Sequence, residues 1–284
     1  MTRGGTERVY ALPAVTRASK RLFLFRASLG LALLSGLLVP RCVRGAEPAG
    51  ERGRGDPDGA PREDDWELGL GGEVEAKSRF IWRGAALSRG PVMQPSAWAA
   101  ALGLTAALWC NMMLTSESRR QPSAVVASVK REFAWRTLRI EPGFSVYEAP
   151  GNRVMARSAE ASIDAGVGFG DFELQTSQAL DVGTHPRAYF GTAGVAYEPE
   201  VQRFTFTISA DVGWATAELT RQYFHRGVNG LDIAEAALAA RYDLTDLHYV
   251  ALHAEGSTLV TPLLRQRGVT PTLTSAGVTF GFEL

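Results

Sequence analysis

Cysteine is scarce in this chain, with only Cys42 and Cys110 present. Cys42 falls in a stretch read below as a leader, and one remaining thiol excludes an intrachain disulfide framework and any cysteine-based zinc site. A charge excess is missing too. Thirty Lys and Arg residues balance thirty Asp and Glu, so nothing is in hand to neutralise a run of phosphates, and nucleic acid is not an expected partner. No phosphate-cradling glycine loop, zinc motif or dinucleotide fingerprint occurs, so no cofactor or metal is expected. The 30 glycines are dispersed through the chain. Of the four histidines, His185, His225, His248 and His253, no pair has metal-ligand spacing on one strand face, because His248 and His253 have opposite parity.

Long apolar runs are also few, and the first has the form of an export signal. Arg17, Lys20, Arg21 and Arg26 precede the apolar segment 29–39, and small residues about Gly45 and Ala46 suit cleavage. The segment is short for a permanent bilayer helix. Pro40 and Arg41 sit where a lipoprotein signal needs small residues, so Cys42 is not read as a lipidation site. The stretch ahead of Lys20 is long for a leader, compatible with a start codon further downstream. A signal peptide is therefore expected over 1–46. Residues 47–65 carry only alanine as an apolar side chain. Burial cannot offset their ordering entropy, and they are expected to form a disordered linker.

From Trp66 onward the dominant period is two. Leu68, Leu70, Val74, Ala76, Phe80 and Trp82 share one face of a first strand over 67–83. Glu73, Glu75, Lys77, Arg79 and Arg83 share the other. The same division recurs later. Phe204, Phe206, Ile208, Ala210 and Val212 oppose Thr205, Thr207, Ser209 and Asp211, and Val250, Leu252 and Ala254 oppose Tyr249, His253 and Glu255. Alternation alone suits either a soluble barrel with an apolar interior or a transmembrane barrel with hydrocarbon outward and charge inward. Loop lengths discriminate. Strand-like runs separated by turns near 103, 135–136, 168–170, 199–202 and 244–246 alternate with longer connections at 84–91, 115–122, 148–156, 182–188, 215–229 and 258–270. Short turns on one end and longer loops on the other, over about twelve strands, are the pattern of an outer-membrane barrel. Aromatics near strand ends, among them Trp66, Trp82, Trp98, Trp135, Tyr147, Tyr197, Tyr242 and Tyr249, fit interfacial girdles. The uncharged stretch 98–114 reads by hydropathy as a helix and by context as a hairpin. Leu102-Gly103-Leu104 is poor turn chemistry, yet two strands accord better with the remainder. The chain ends with Val278, Phe280, Phe282 and Leu284 on one strand face. Outer-membrane barrels usually finish this way, and their last strand carries the signal for the barrel-assembly machinery.

Residues 77–96 add a resemblance. Ser78, Phe80, Trp82, Arg83 and Gly84, then Ser88, Gly90, Pro91 and Gln94, resemble the opening of a proteobacterial outer-membrane family of unknown function labelled Gcw_chp. The run through Leu108, Trp109 and Asn111 is similar to that family's third strand, which favours strands over a helix there. The resemblance is specific over 67–114 and diffuse beyond. It implies an exported β-barrel and no substrate.

The expected architecture is thus an all-β, single antiparallel up-and-down transmembrane barrel of about twelve strands over 66–284. Its location would be the Gram-negative outer membrane, its partners membrane lipid, the assembly machinery and a small solute. Glu73, Glu75, Lys77, Arg79, Arg83, Asp211, His253 and Glu255 are the expected lumen-lining residues. A channel, porin-like or structural, with no catalysis is the leading function. Two alternatives stand beside it: a lipid-modifying enzyme built on His253, Glu255 and Ser257, and a soluble lipocalin-like binding barrel.

Overall fold

The computed structural model describes residues 68–88, 90–115, 122–149, 157–265 and 269–284. The signal peptide expected over 1–46, the linker over 47–65 and Trp66 lie outside the described residues. Twelve long strands form the wall. They are β1 (Gly69–Lys77), β2 (Val92–Ala101), β3 (Leu104–Met113), β4 (Ala124–Arg131, continued by Phe133–Trp135), β5 (Leu138–Glu148) and β6 (Ser158–Phe169), followed by β7 (Phe172–Asp181), β8 (Tyr189–Tyr197), β9 (Phe204–Ala215), β10 (Gly230–Asp243), β11 (His248–Leu259) and β12 (Thr272–Glu283). Each pairs antiparallel with its sequence neighbours, and β1 pairs with β12 from Gly71↔Glu283 to Lys77↔Gly277. The sheet closes on itself and leaves no edge.

The two ends differ. The short turns, the start of β1 and the end of β12 share one end. The β2–β3 turn is two residues, Leu102 at φ 54° and Gly103 at φ 72°. This left-handed pair follows the natural twist of a hairpin, so the turn forms despite the leucine, and 98–114 is two strands. At the other end the connection after β9 contains α1 (Ala217–Phe224), a helix that the all-β expectation did not include. Its first free N–H, on Ala217, is donated to the Asn229 side chain at 2.6 Å, and Thr220 Oγ1 accepts from Val228 N at 2.8 Å. Leu219, Thr220, Tyr223 and Phe224 form its buried face.

Hydrocarbon faces outward. Val74 is 45% exposed, Phe206 39% and Phe280 52%, while Asp211 is 7% exposed and Glu75 8%. A soluble barrel with this surface would bare apolar area all round its wall, which rules out the lipocalin-like reading. Near the short-turn end the outer aromatics gather, with Phe172 stacked on Tyr197 at 4.5 Å and Phe204 against Tyr242 at 4.8 Å between ring centroids. Trp135 is exposed at the same end.

Not every aromatic obeys the girdle expectation. Trp98, Tyr147 and Tyr249 are buried inside the barrel. Two of these rings lie over a glycine directly opposite on the next strand, Trp98 over Gly71 and Tyr249 over Gly281. A Cβ on Gly71 would stand 2.2 Å from the Trp98 ring, and one on Gly281 2.3 Å from the Tyr249 ring. Strand β1 also ends at Lys77, earlier than the expected 83. The chain then folds inward through a small hairpin that pairs Ile81–Trp82 with Ala85–Ala86. Phe80 and Trp82, expected on the lipid face, are instead buried inside, at 2% and 0% exposure.

Candidate functional site

The enclosed lumen and the closure of its outer mouth are the features with chemical content. Side chains on the inner face bond preferentially to the next strand but one. The concave wall brings such strands closer on the inside than their spacing along the sheet. Lys77 Nζ on β1 donates to Glu255 on β11 at 2.8 Å, Lys130 on β4 to Asp164 on β6 at 2.6 Å, and Arg139 on β5 to Glu173 on β7 at 2.9 Å. Gln175 on β7 donates to Asp211 on β9 at 2.9 Å, and Arg241 on β10 to Glu283 on β12 at 3.0 Å. Tyr249 donates to Glu73 at 2.8 Å, and His253 Nε2 lies 2.8 Å from Glu75. Pairing of this kind is what allows ionised groups to remain buried.

Two of the expected lumen residues depart from the simple alternation. Arg79 lies beyond the end of β1, half-buried, and Ser275 Oγ donates to its carbonyl at 3.1 Å. Arg83 occupies the turn of the inner hairpin at φ 48° and is not on the face of β1 at all. Its guanidinium reaches the far wall, 2.5 Å from Glu160 on β6. Burial works to lower its pKa, but the field of Glu160 and their hydrogen bond outweigh that and hold it above the ordinary arginine value.

Around this ion pair an apolar layer closes the mouth. Phe80 and Trp82 from the first loop meet Trp109, Val126, Tyr147 and Phe190 from the wall. Leu219, Tyr223 and Phe224 come from α1, and Leu264 from the last loop. Trp82 Nε1 donates to Tyr223 Oη at 2.7 Å, and Tyr147 Oη donates to both Glu160 and Asp181 at 3.2 Å. Burial above all, against the opposing field of Arg83, pushes the Tyr223 phenol up to about 12, so it is neutral at any physiological pH. Ser88 Oγ accepts from Phe80 N at 2.7 Å and donates to the Gly90 carbonyl at 2.9 Å, which fixes the loop's return. At Gly84, with φ +74°, a Cβ would stand 2.5 Å from Ile233; only glycine fits that turn without strain.

Below the mouth the lumen is filled. Asp164 is 1% exposed, Gln94 1% and Thr279 0%, values that a water-wide passage beside them would not permit. Sequence reasoning found the inner faces of β1, β9 and β11 but missed Lys130, Arg139, Glu141 and Glu173. The alternation of β4 to β7 carries the signal that would have identified them.

The enzyme alternative finds no support in this geometry. His253 and Ser257 are four residues apart on one strand, about 13 Å at 3.3 Å per residue, beyond the reach a nucleophile and its base require. Glu255 is committed to Lys77, and all three groups face the lumen rather than lipid.

A closed twelve-stranded barrel with an apolar exterior and a charged, hydrogen-bonded interior is a transmembrane β-barrel of the outer-membrane type. No protein-family model matches the chain, and no curated protein matches it in sequence. Among solved structures it is similar to the KdgM porin in complex with disordered oligogalacturonate, at 8% identity and a TM-score of 0.46, over 76% of this chain and 97% of that one. It is similar to the NanC porin at 12% identity and 0.46, over 76% and 98%. The outer membrane phospholipase A from Escherichia coli matches at 10% identity and 0.43, over 75% and 92%. Likeness at this level distinguishes neither porin from enzyme.

Proposed function

We propose that the protein is a non-enzymatic, porin-like conduit for small solutes whose resting state is closed. The observation that carries this reading is the way the mouth is shut. The apolar layer is completed by connecting segments, the first loop and α1, packed onto side chains of the wall, so those segments can move aside without breaking the strand ladder. Water would then reach the cross-strand bridges beneath, and conduction requires those bridges to part as well. Glu73, Glu75, Lys77, Asp211, His253 and Glu255 would line that path, with Arg83 as the latch against Glu160 and Arg79 at its rim.

Membership of a Gcw_chp-like family belongs to the same proposal. The residues that carry the resemblance, Phe80, Trp82, Arg83, Gly84 and Ser88, are those that build the mouth, which supports a shared device. A signal peptide over 1–46, a linker over 47–65 and recognition of β12 by the barrel-assembly machinery complete it. Purified protein in a planar bilayer provides the test. The wild type should conduct rarely and in small steps, and Trp82→Ala should conduct often. If both remain silent at several salt concentrations, the conduit reading fails and a structural barrel remains. A change in lipid profile on deleting the gene, reversed by wild type but not by His253→Ala, would restore the enzyme reading.

A further inference from the structure

The interior of the barrel is chemically lopsided. Among the described residues ten buried carboxylates stand against five buried lysines and arginines. Among the described residues four of the ten lie on β9, β10 and β11, where the buried cation Arg241 is bonded to Asp243 and Glu283. There Asp211 and Glu235 are directly opposite each other on β9 and β10, and Glu235 is in turn opposite Ser257 on β11. Glu235 is 4% exposed; it has no hydrogen bond of ordinary geometry, and its near donor is the Ser257 hydroxyl opposite. Glu255 gives Oε2 to Lys77, leaving Oε1 unpartnered. Ser209, 3% exposed, has a hydroxyl with no partner. Buried acceptors normally find donors, and an unmet one is costly. Here several converge on one stretch of inner wall, and Lys77, the cation whose field reaches Glu235, is bonded to Glu255 instead.

We infer that this wall is a binding site for a small organic cation bearing ammonium or guanidinium N–H donors, and that the lumen passes cations in preference to anions. The donor set points to N–H groups and not to a metal ion, since no group of three His, Cys, Asp or Glu among the described residues is arranged to hold one. An ammonium supplies three donors and a guanidinium five, in geometries that carboxylates accept bidentately. Lys77 does not oppose such a guest, because Glu255 already neutralises it. The inference rests on the conduit reading, because a guest reaches this wall only when the lumen opens.

The experiment is a reversal-potential measurement in a potassium chloride gradient on the Trp82→Ala protein, with and without agmatine, which carries both an ammonium and a guanidinium. Potassium should be favoured over chloride by about tenfold, the scale on which one-signed clefts concentrate counter-ions. Agmatine should reduce the potassium current in a saturable way. Adding Glu235→Gln, which keeps the shape and removes an unpaired buried acid, should weaken the agmatine effect at least severalfold. Heat-modifiable migration should be unchanged, and Asp211→Asn serves as the second variant if that one does not fold. Open channels that favour chloride, or that agmatine does not touch, would overturn the inference while leaving the conduit reading intact. If no channel opens, the conduit reading fails by itself, and calorimetric titration of the detergent-solubilised Trp82→Ala barrel with agmatine decides the site. Heat lost in Glu235→Gln supports it, and absence of heat overturns it.

Discussion

Trp82 is the side chain on which the outer closure turns, since it is wholly buried, donates its indole N–H to Tyr223 and meets Phe80 edge-on at 6.0 Å. Removing a ring so placed costs about 3–5 kcal/mol. Trp82→Ala should therefore lower the temperature at which the barrel loses its compact gel migration, whereas Trp82→Phe should keep most of the packing and lose only the bond to Tyr223. Arg83→Ala strands the Glu160 carboxylate, a loss of about 3–5 kcal/mol when one partner of a buried pair is removed, and Arg83→Lys should restore only part of it. Tyr223 supplies a pH test. Its folded-state pKa is raised to about 12, chiefly by burial, above its ordinary value near 10. Its neutral form thus stabilises the closure fully below about pH 10. That contribution fades as pH climbs through the folded value. Tyrosinate absorbance followed against pH, with Tyr223→Phe subtracted, should place this phenol's ionisation near pH 12; ionisation at the ordinary value would mean that it is not buried.

At the scale of elements, hairpin turns and glycine–aromatic pairs hold the register. Leu102 sits in the left-handed region, where a residue with a Cβ is strained by about 1–2 kcal/mol. Leu102→Asn relieves part of that strain, and urea unfolding in detergent should show the barrel stabilised by about 0.5–1 kcal/mol. Gly71→Val should do the reverse. Its side chain drives into the Trp98 ring, and overpacking of this kind costs about 1–3 kcal/mol; the double variant Gly71→Val/Trp98→Ala should recover part of the loss. The strands themselves were legible in the sequence because alternation and turn spacing are local properties. The inner hairpin was not. Phe80 and Trp82 continue the parity of β1, so nothing in the pattern marks the point at which the chain leaves the wall, and only the closed mouth reveals where those rings are buried. Helix α1 left a fainter trace: Leu219 and Tyr223, and Thr220 and Phe224, recur at helical spacing within what reads otherwise as a long loop. Trp98 and Tyr249 reverse the girdle expectation for a related reason, since each needs a glycine opposite on the neighbouring strand, and that is a pairing fact rather than a local one.

For the molecule as a whole the governing fact is the direction of the wall. Val74 and Phe280 face each other across β1 and β12 on the outer surface. A positive charge placed there should cost about 2–4 kcal/mol near the bilayer midplane, so Val74→Arg should fold poorly into vesicles. Leu68→Arg, at the interfacial end, should fold almost as wild type. Nitroxide labels test the same claim most directly, placed one at a time at positions 74, 206, 280, 164 and 235 in a barrel whose Cys110 has been replaced, then reconstituted in lipid vesicles. Labels at 74, 206 and 280 should be relaxed strongly by oxygen dissolved in the acyl chains and barely by a water-soluble nickel chelate, and those at 164 and 235 should show little access to lipid oxygen. Strong lipid access at 164 and 235, with 74, 206 and 280 shielded, would contradict the account.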